Sequence, residues 1–315
     1  MISRLSPNVV GALLIVVAAS GFGVLGPMAE YASQAGVSSL TLVTWRAGVG
    51  AIVVLLFVAV RAASGTRLWR PWRELPRRDR LILALSAPTN AALNLAMFVA
   101  FVRIGIALAL LIFYIYPALV ALASVLWFGE RLDRLRWSAL GISMAGVVLV
   151  VAGAGDLGSL DALGIGLAAI GALAQMFYAL AAHHGFRAIP GTQAAASTMA
   201  GATLLYLIAF AVIGRLPEMG QPLASVAALW PVLVAGLVGA GLATVCFIIG
   251  IRMLGAPRAS ILATLEPVVG IVLAALLFGA LPTPLQFVGG ALIIAAGIVL
   301  QLRPSGEIAE HEAVA

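Results

Sequence analysis

The chain has 315 residues, of which 63% are hydrophobic and only 10% are charged, with a mean hydropathy of +1.14. A soluble domain is about half apolar and a quarter charged, so this composition excludes two water-soluble domains of ordinary size. Ten membrane crossings of about 20 apolar residues each would use roughly 200 residues, and no remaining stretch could bury a core outside the lipid. The composition predicts a polytopic membrane protein.

The net charge of +6 does not indicate a nucleic-acid partner. All 18 basic residues are arginines, and most lie between hydrophobic runs, where the positive-inside rule accounts for them. The single cysteine, Cys246, lies in an apolar run and permits no intrachain disulfide. The first apolar run is longer than the core of a signal peptide and more runs follow it, so we interpret it as an uncleaved first helix.

The chain contains ten apolar runs, each long enough to cross a membrane as an α-helix. Open strands are excluded because their unpaired backbone edges would face lipid. In chain order the predicted spans are residues 8–28, 38–60, 80–101, 105–127, 137–154, 163–183, 193–213, 230–250, 257–279 and 284–302.

The arginines predict the orientation of these spans. Counting ten spans places fifteen arginines on one side, seven of them in the loop 61–80 and three in the loop 129–136. Only Arg103 and Arg215 fall on the other side, and Arg46 lies within the second span. Since loops rich in arginine stay in the cytoplasm, both termini are predicted to be cytoplasmic.

The two halves of the sequence resemble each other. A shift of 150 positions lays Gly105 on Gly255 and Pro117 on Pro267, and a shift of 153 lays Gly11 on Gly164. Five spans per copy is an odd number, so the copies must be inverted relative to each other. We predict a first repeat at 1–154, a second at 155–303 and a cytoplasmic tail at 304–315. Inverted repeats are typical of secondary transporters, whose substrate site lies near the bilayer midplane.

Three motifs in register with this repeat resemble the EamA-type drug/metabolite transporter superfamily. They are Thr44-Trp45-Arg46, residues 110–117 leading to Phe128-Gly129-Glu130-Arg131, and Leu265-Glu266-Pro267-Val268-Val269 leading to Phe278-Gly279.

The resemblance covers about residues 8–302 and is strongest to the YddG-like aromatic amino-acid exporters. It implies an all-α fold of ten transmembrane helices and a bacterial inner-membrane exporter of amino acids or related metabolites. We expect a monomer in the lipid bilayer. Spans 1, 3, 4, 6, 8 and 9 are expected to line a central cavity that opens alternately to either side as the two halves rock.

Glu266 is the sharpest site candidate. It lies about nine residues into its predicted span, roughly 14 Å deep, near the centre of the hydrocarbon. A carboxylate there is costly, which favours a functional role: it could carry a coupling proton or meet a substrate ammonium group. Alternatively, it caps backbone groups freed by Pro267, or stays neutral and bonded to a neighbouring helix.

Arg46 lies roughly 12 Å deep in the second span. Its guanidinium could hold a substrate carboxylate through two hydrogen bonds. Alternatively, it could bond a backbone carbonyl or Glu266, or extend toward the interface. One buried cation and one buried anion match a zwitterionic amino acid better than a phosphate, which would need several cations.

Further polar and aromatic side chains within the spans are weaker candidates. Ser86, Asn90 and Asn94 recur every four residues, so they form one stripe that either lines a substrate path or holds helices together. Aromatic rings could stack on a substrate side chain, or simply pack. The remaining candidates are Tyr114, Tyr116, Gln175 and Tyr178 as lining residues, and His183-His184 as a gate, a proton entry or ordinary interfacial residues.

Other functional classes lack sequence support. Without lysine there is no Walker motif for ATP, and no His, Cys and carboxylate cluster has metal-ligand spacing, so we predict no cofactor and no metal. No Ser/His/Asp set suggests an enzyme. The alternatives kept open are export of other metabolites or cationic drugs, with or without proton coupling, and, remotely, an intramembrane enzyme or a non-transporting sensor.

Overall fold

The computed structural model describes residues 6–65, 68–155, 160–186 and 188–301. Within these ranges the regular secondary structure is entirely helical, as predicted. Two segments, Ala181–Gly185 and Ala235–Leu242, are wider π-helical turns. The α-helices are α1 (Pro7–Gly23), α2 (Leu25–Gln34), α3 (Ser39–Ala63), α4 (Arg77–Phe113), α5 (Tyr116–Phe128), α6 (Arg134–Ala152), α7 (Ala162–Leu180), α8 (Gly191–Val212), α9 (Val226–Val234), α10 (Ala243–Leu254), α11 (Ala256–Ala263), α12 (Leu265–Phe278) and α13 (Pro284–Gln301).

These helices are compatible with ten crossings. Eight helical segments in the described part of the chain are long and apolar enough to span a bilayer. One of them, Arg77–Phe128, has 52 residues and divides into two crossings at Gly105, while the shorter apolar helix Pro284–Leu300 supplies the tenth. The first span extends to Gln34, beyond the predicted end at residue 28, and the segment that contains the eighth predicted span begins at Val226 rather than at residue 230.

The loops divide the bundle into two ends that differ in charge. We call the end formed by the loops 64–76 and 129–133 the arginine-rich end, and the end formed by 35–38 and 213–225 the arginine-poor end. The predicted tail 304–315 lies outside the described residues. The same holds for Arg4, Arg67, Arg187 and Arg303.

The backbone of the two repeats breaks at corresponding positions. Gly105 and Gly255 both adopt a positive φ, of 77° and 84°, that favours glycine. A proline ring clashes with the carbonyl four residues earlier, so Pro117 and Pro267 should end the preceding helices at 113 and 263. The helices α4 and α11 end at those two residues. Proline alone does not predict such a break, because Pro88 lies inside α4 and Pro231 inside α9 without ending the helix.

Helix packing has the symmetry that inverted repeats require. The first span packs on the eighth (α1 on α10), and the third packs on the sixth (α4 on α7), which is the same contact after exchange of the repeats. The contact of α3 with α8 is unchanged when the two repeats are exchanged, and so is the contact of α6 with α13. Every one of these contacts joins the two repeats, so the core of the bundle is shared between them.

The crossing of α6 and α13 depends on small residues. A methyl group added at Gly289 would lie 2.5 Å from the carbonyl oxygen of Gly146, and one added at Gly146 would lie 2.7 Å from that of Gly289. The alanines related to them by the repeat, Ala139 and Ala296, are fully buried. Small residues at such crossings allow the backbones to approach closely, which is how helices associate in lipid.

We predict that Gly289→Ala destabilises the protein while the adjacent Gly290→Ala does not. At Gly290 the new methyl group would meet only Val268, at 3.7 Å, which is an ordinary contact. Overpacking against backbone at Gly289 should cost about 1–3 kcal/mol. Thermal unfolding of the two variants in detergent checks this, and equal melting temperatures would contradict the described crossing.

Candidate functional site

The central polar group of the bundle connects α3 with α4. The Arg46 Nη2 donates a hydrogen bond of 2.6 Å to Oδ1 of Asn94. The Asn94 amide nitrogen in turn donates to the Asn90 carbonyl oxygen at 2.8 Å. These two bonds fix the orientation of the Asn94 amide, so its oxygen faces the guanidinium. The structure thus brings three of the predicted site residues together.

Arg46 has hydrogen-bonding capacity left over. A guanidinium carries five N–H donors, and among the described residues only one of them is engaged, by Asn94. The side chain is half-buried. A planar cation with unused donors can bind a carboxylate through two parallel bonds where a ligand can reach it.

Glu266 lies in the first turn of α12, immediately after the break in the ninth span. It is 11 residues beyond Gly255, so its depth is about 16 Å from the arginine-rich end. The break itself is stabilised by Thr264, whose hydroxyl donates to the Ile261 carbonyl at 2.6 Å and lies 2.9 Å from that of Ser143. Because Thr264 satisfies groups at the break, Glu266 is not required as its cap.

The two central charges interact without direct contact. Glu266 and Arg46 interact electrostatically, but their charged atoms are more than 4.0 Å apart and form no direct ion pair. Among the described residues, no hydrogen bond to the Glu266 carboxylate is observed. It is half-buried, like Arg46. A carboxylate and a guanidinium at mid-depth, each with unused capacity, can bind a molecule that carries both charges.

Aromatic rings lie next to the carboxylate at the break in the fourth span. Tyr114 and Tyr116 are both buried and both interact electrostatically with Glu266. Their rings form a cluster with Phe113, with centroids 5.4 to 6.4 Å apart. Tyr114 and Tyr116 are packed in the core, and Phe113 is the half-buried member of the cluster.

Tyr206 on α8 belongs to this site and was missed by the sequence analysis. It is fully buried, it interacts electrostatically with Arg46, and its hydroxyl has no geometrically acceptable hydrogen-bond partner in the described part of the chain. A usable signal was present, because it is the only tyrosine in the seventh predicted span. Its distance from Arg46 along the chain concealed the relationship.

The other predicted site residues lie elsewhere or bond locally. The Ser86 hydroxyl is buried and donates to the Ile82 carbonyl of its own helix at 2.7 Å, so it packs rather than lines a space. Gln175 is half-buried on α7. Tyr178 is buried, and its neighbours are Thr198 and Arg252 rather than Arg46 or Glu266. The structure therefore places Tyr178 in a second polar group, nearer the arginine-rich end.

Helix burial differs between the repeats in a way that shows which end of the bundle is closed. At the arginine-rich end α5 packs against α11, and all eight residues of α11 are buried. At the arginine-poor end the corresponding segments are 106–113 and α12. These two segments do not pack closely against each other, and α12 has no buried residue. The broken spans are therefore held together at the arginine-rich end and separated at the other.

Polar bonds reinforce the closed end. Arg252, at the end of α10, donates to the carbonyl oxygens of Phe186 and Ile189 at 2.9 and 2.8 Å. The Asp79 carboxylate, at the start of α4, accepts from the backbone N–H of Ala188 at 2.8 Å. Both interactions fix the segment between α7 and α8.

The comparison with known proteins decides the family. The model of the EamA-like transporter family matches residues 9–152 and 162–302, one match for each half of the chain. This chain belongs to the EamA-like transporter family. Like the family, it is a multi-pass membrane protein that transports small molecules, and its fold points to a transporter rather than an enzyme.

Comparison of structures agrees with the fold. A crystal structure of a protein with 20% sequence identity superposes with a TM-score of 0.76, covering 93% of this chain and 96% of the other. At that identity the likeness supports the EamA fold alone. Among proteins with curated descriptions, none matches the sequence.

We predict that Asn94→Leu destabilises the EamA bundle, since it leaves the Arg46 guanidinium without its one observed partner. Losing a hydrogen bond to a charged group should cost roughly 1.5–3 kcal/mol. Tyr206→Phe serves as the matched variant, because the Tyr206 hydroxyl makes no hydrogen bond of acceptable geometry to a described residue, so its removal should lower the melting temperature less than Asn94→Leu does. Thermal unfolding of both variants without substrate checks the difference; a larger loss in Tyr206→Phe would contradict the described bonds.

Proposed function

We propose that this protein exports hydrophobic or aromatic amino acids across the bacterial inner membrane by alternating access. The observation that carries the proposal is that Arg46 and Glu266 interact electrostatically at mid-depth but form no ion pair with each other, which leaves a gap between the charges that a ligand could bridge. A zwitterionic amino acid would fill this gap, with its carboxylate on Arg46 and its ammonium group on Glu266. A phosphate would meet one cation and be repelled by the carboxylate.

The surroundings of the site favour an apolar side chain. Tyr114 and Tyr116 interact electrostatically with Glu266, and the half-buried ring of Phe113, which packs on both, can contact an aromatic ring in edge-on or offset geometry. In this arrangement Asn94, which is itself held by Asn90, keeps the guanidinium in place. Neither asparagine binds a charged group of the cargo. Gln175 and Tyr178 remain candidate lining residues for the state in which the arginine-rich end opens.

The arginine distribution supports the direction of the open cavity. Under the positive-inside rule the arginine-rich end, and both termini with it, lie in the cytoplasm. The separated ends of the fourth and ninth spans then face outward, and the described conformation corresponds to the state from which an exporter releases its cargo.

The packing favours movement of the broken spans over rotation of whole repeats. Because α1 with α10 and α4 with α7 join the repeats, rocking one repeat rigidly against the other would separate helices that pack along their length. The fourth and ninth spans instead begin at Gly105 and Gly255 and break before Pro117 and Pro267. We propose that these spans pivot there, so that α5 and α11 separate while 106–113 and α12 approach.

The site can be tested by counterflow of labelled amino acids into liposomes that contain the purified protein. Arg46→Gln and Glu266→Gln should each weaken the apparent affinity about tenfold or more, because a hydrogen bond to a charged group contributes roughly 1.5–3 kcal/mol. If Glu266 also exchanges the cargo for protons, Glu266→Gln should abolish the dependence of uptake on a pH gradient.

Matched controls make the same substitutions at exposed charges. Arg61→Gln changes an exposed arginine in the last turn of α3, and Glu30→Gln changes an exposed carboxylate on α2, so both should transport normally. If no amino acid exchanges, the cargo assignment fails. If Arg46→Gln exports as well as wild type while Glu266→Gln is inactive, a cationic metabolite or drug is the better cargo, since Glu266 and its aromatic neighbours suffice for a cation.

The open end is tested by thiol accessibility in cells, in a Cys246→Ser background. Glu266→Cys should react with a membrane-impermeant thiol reagent added outside, because position 266 borders the outward cavity. Ser260→Cys should not react, since Ser260 is fully buried in α11 six residues nearer the arginine-rich end. Reaction of both, or only of Ser260→Cys, would contradict the proposed sidedness.

A further inference from the structure

A cluster of metal-ligating side chains lies at the arginine-rich end, apart from the central site. His184 Nε2 is 2.9 Å from Oε1 of Glu130, and His183 Nε2 is 3.8 Å from the same oxygen. The three ligand atoms all lie within 4.8 Å of one another. The side chains are 14 to 26% exposed, so an ion could reach them and keep a water ligand.

The local backbone explains why two consecutive histidines face one carboxylate. They lie in the π-helical turn Ala181–Gly185, which rotates less per residue than an α-helix and so keeps neighbouring side chains closer in direction. The Phe128 ring stacks on His184 at 3.7 Å with the planes 4° apart, which fixes the orientation of that imidazole. Sequence spacing hid the cluster, because Glu130 and His184 are 54 positions apart.

We propose that Glu130, His183 and His184 form a binding site for a divalent transition-metal ion, of which Zn²⁺ is the best match. Two imidazoles and one carboxylate are a ligand set that Zn²⁺ adopts when its fourth position is left open. Ligand atoms around a tetrahedral Zn²⁺ with bonds of about 2.0–2.1 Å lie about 3.3 Å apart. The two observed distances to Oε1, 2.9 and 3.8 Å, bracket that separation.

The position of the site predicts an effect of the bound ion on transport. Glu130 follows α5 in the first repeat, and the histidines follow α7 in the second, so a bound ion joins the two repeats where the bundle is closed. It would hold the arginine-rich end shut and inhibit transport from that side. This consequence rests on the proposed transport cycle, whereas metal binding itself does not.

Binding is measured by titrating Zn²⁺ into the purified full-length protein in detergent by calorimetry, with Mg²⁺ as the comparison ion. We expect one Zn²⁺ per chain and no comparable Mg²⁺ binding. The double variant His183→Gln/His184→Gln should weaken Zn²⁺ binding by about 100-fold or more, since loss of even an outer-shell partner costs 10–100-fold. The remaining histidine, His311, provides the matched control, and His311→Gln should bind Zn²⁺ like wild type.

Equal Zn²⁺ affinity in the wild type and the double variant would overturn the proposal, as would loss of binding in His311→Gln. If the double variant does not fold, Glu130→Gln and the visible spectrum of Co²⁺ bound to the wild type test the same site; absence of the intense bands of tetrahedral Co²⁺ would overturn it. Inhibition of counterflow by Zn²⁺, only from the arginine-rich side, tests the consequence. If Zn²⁺ binds but does not inhibit counterflow, the metal site is supported and its proposed effect on transport is wrong.

Discussion

Hydrocarbon offers no hydrogen bonds to a polypeptide, and this constraint governs the whole structure. Every crossing must satisfy its own backbone, so the described crossings are helical and each departure from the helix needs a substitute partner. At the break before Pro267 the substitute is Thr264, which bonds the Ile261 carbonyl and lies against Ser143. Irregular backbone at this depth is tolerated only inside the protein or beside a wet cavity.

The same constraint applies to the few charges at mid-depth. Arg46 is held by Asn94, which is held by Asn90, and Glu266 interacts electrostatically with Arg46 without forming an ion pair. Leaving both groups half-buried avoids the full desolvation of two ions, and it keeps their remaining capacity available to a ligand. The arrangement is therefore consistent with a binding site that is wet until cargo occupies it.

The repeats are symmetric in sequence, backbone and helix pairing, but their burial is not symmetric. The segment α11 is packed on all sides, whereas its counterpart 106–113 is mostly half-buried. In a protein built from inverted repeats, a second arrangement with similar contacts is possible. In that arrangement 106–113 would be packed and α11 exposed, so the opposite end of the bundle would be open. The histidine–glutamate cluster occupies the end that is closed in the described arrangement.

The sequence by itself determined the fold class, the repeat and the family, because the apolar runs, their arginine bias and the matching of the two halves are visible without the structure, and lipid makes such local signals decisive. It also identified Arg46, Glu266, Asn90, Asn94 and Tyr114 as candidates, since polar or aromatic residues in an apolar span stand out. Only the tertiary structure placed Tyr206 beside Arg46, moved Tyr178 into another group and joined Glu130 to His183 and His184. Those relationships depend on how helices rotate and cross, which is set by contacts such as Gly146 with Gly289 between residues far apart in the chain.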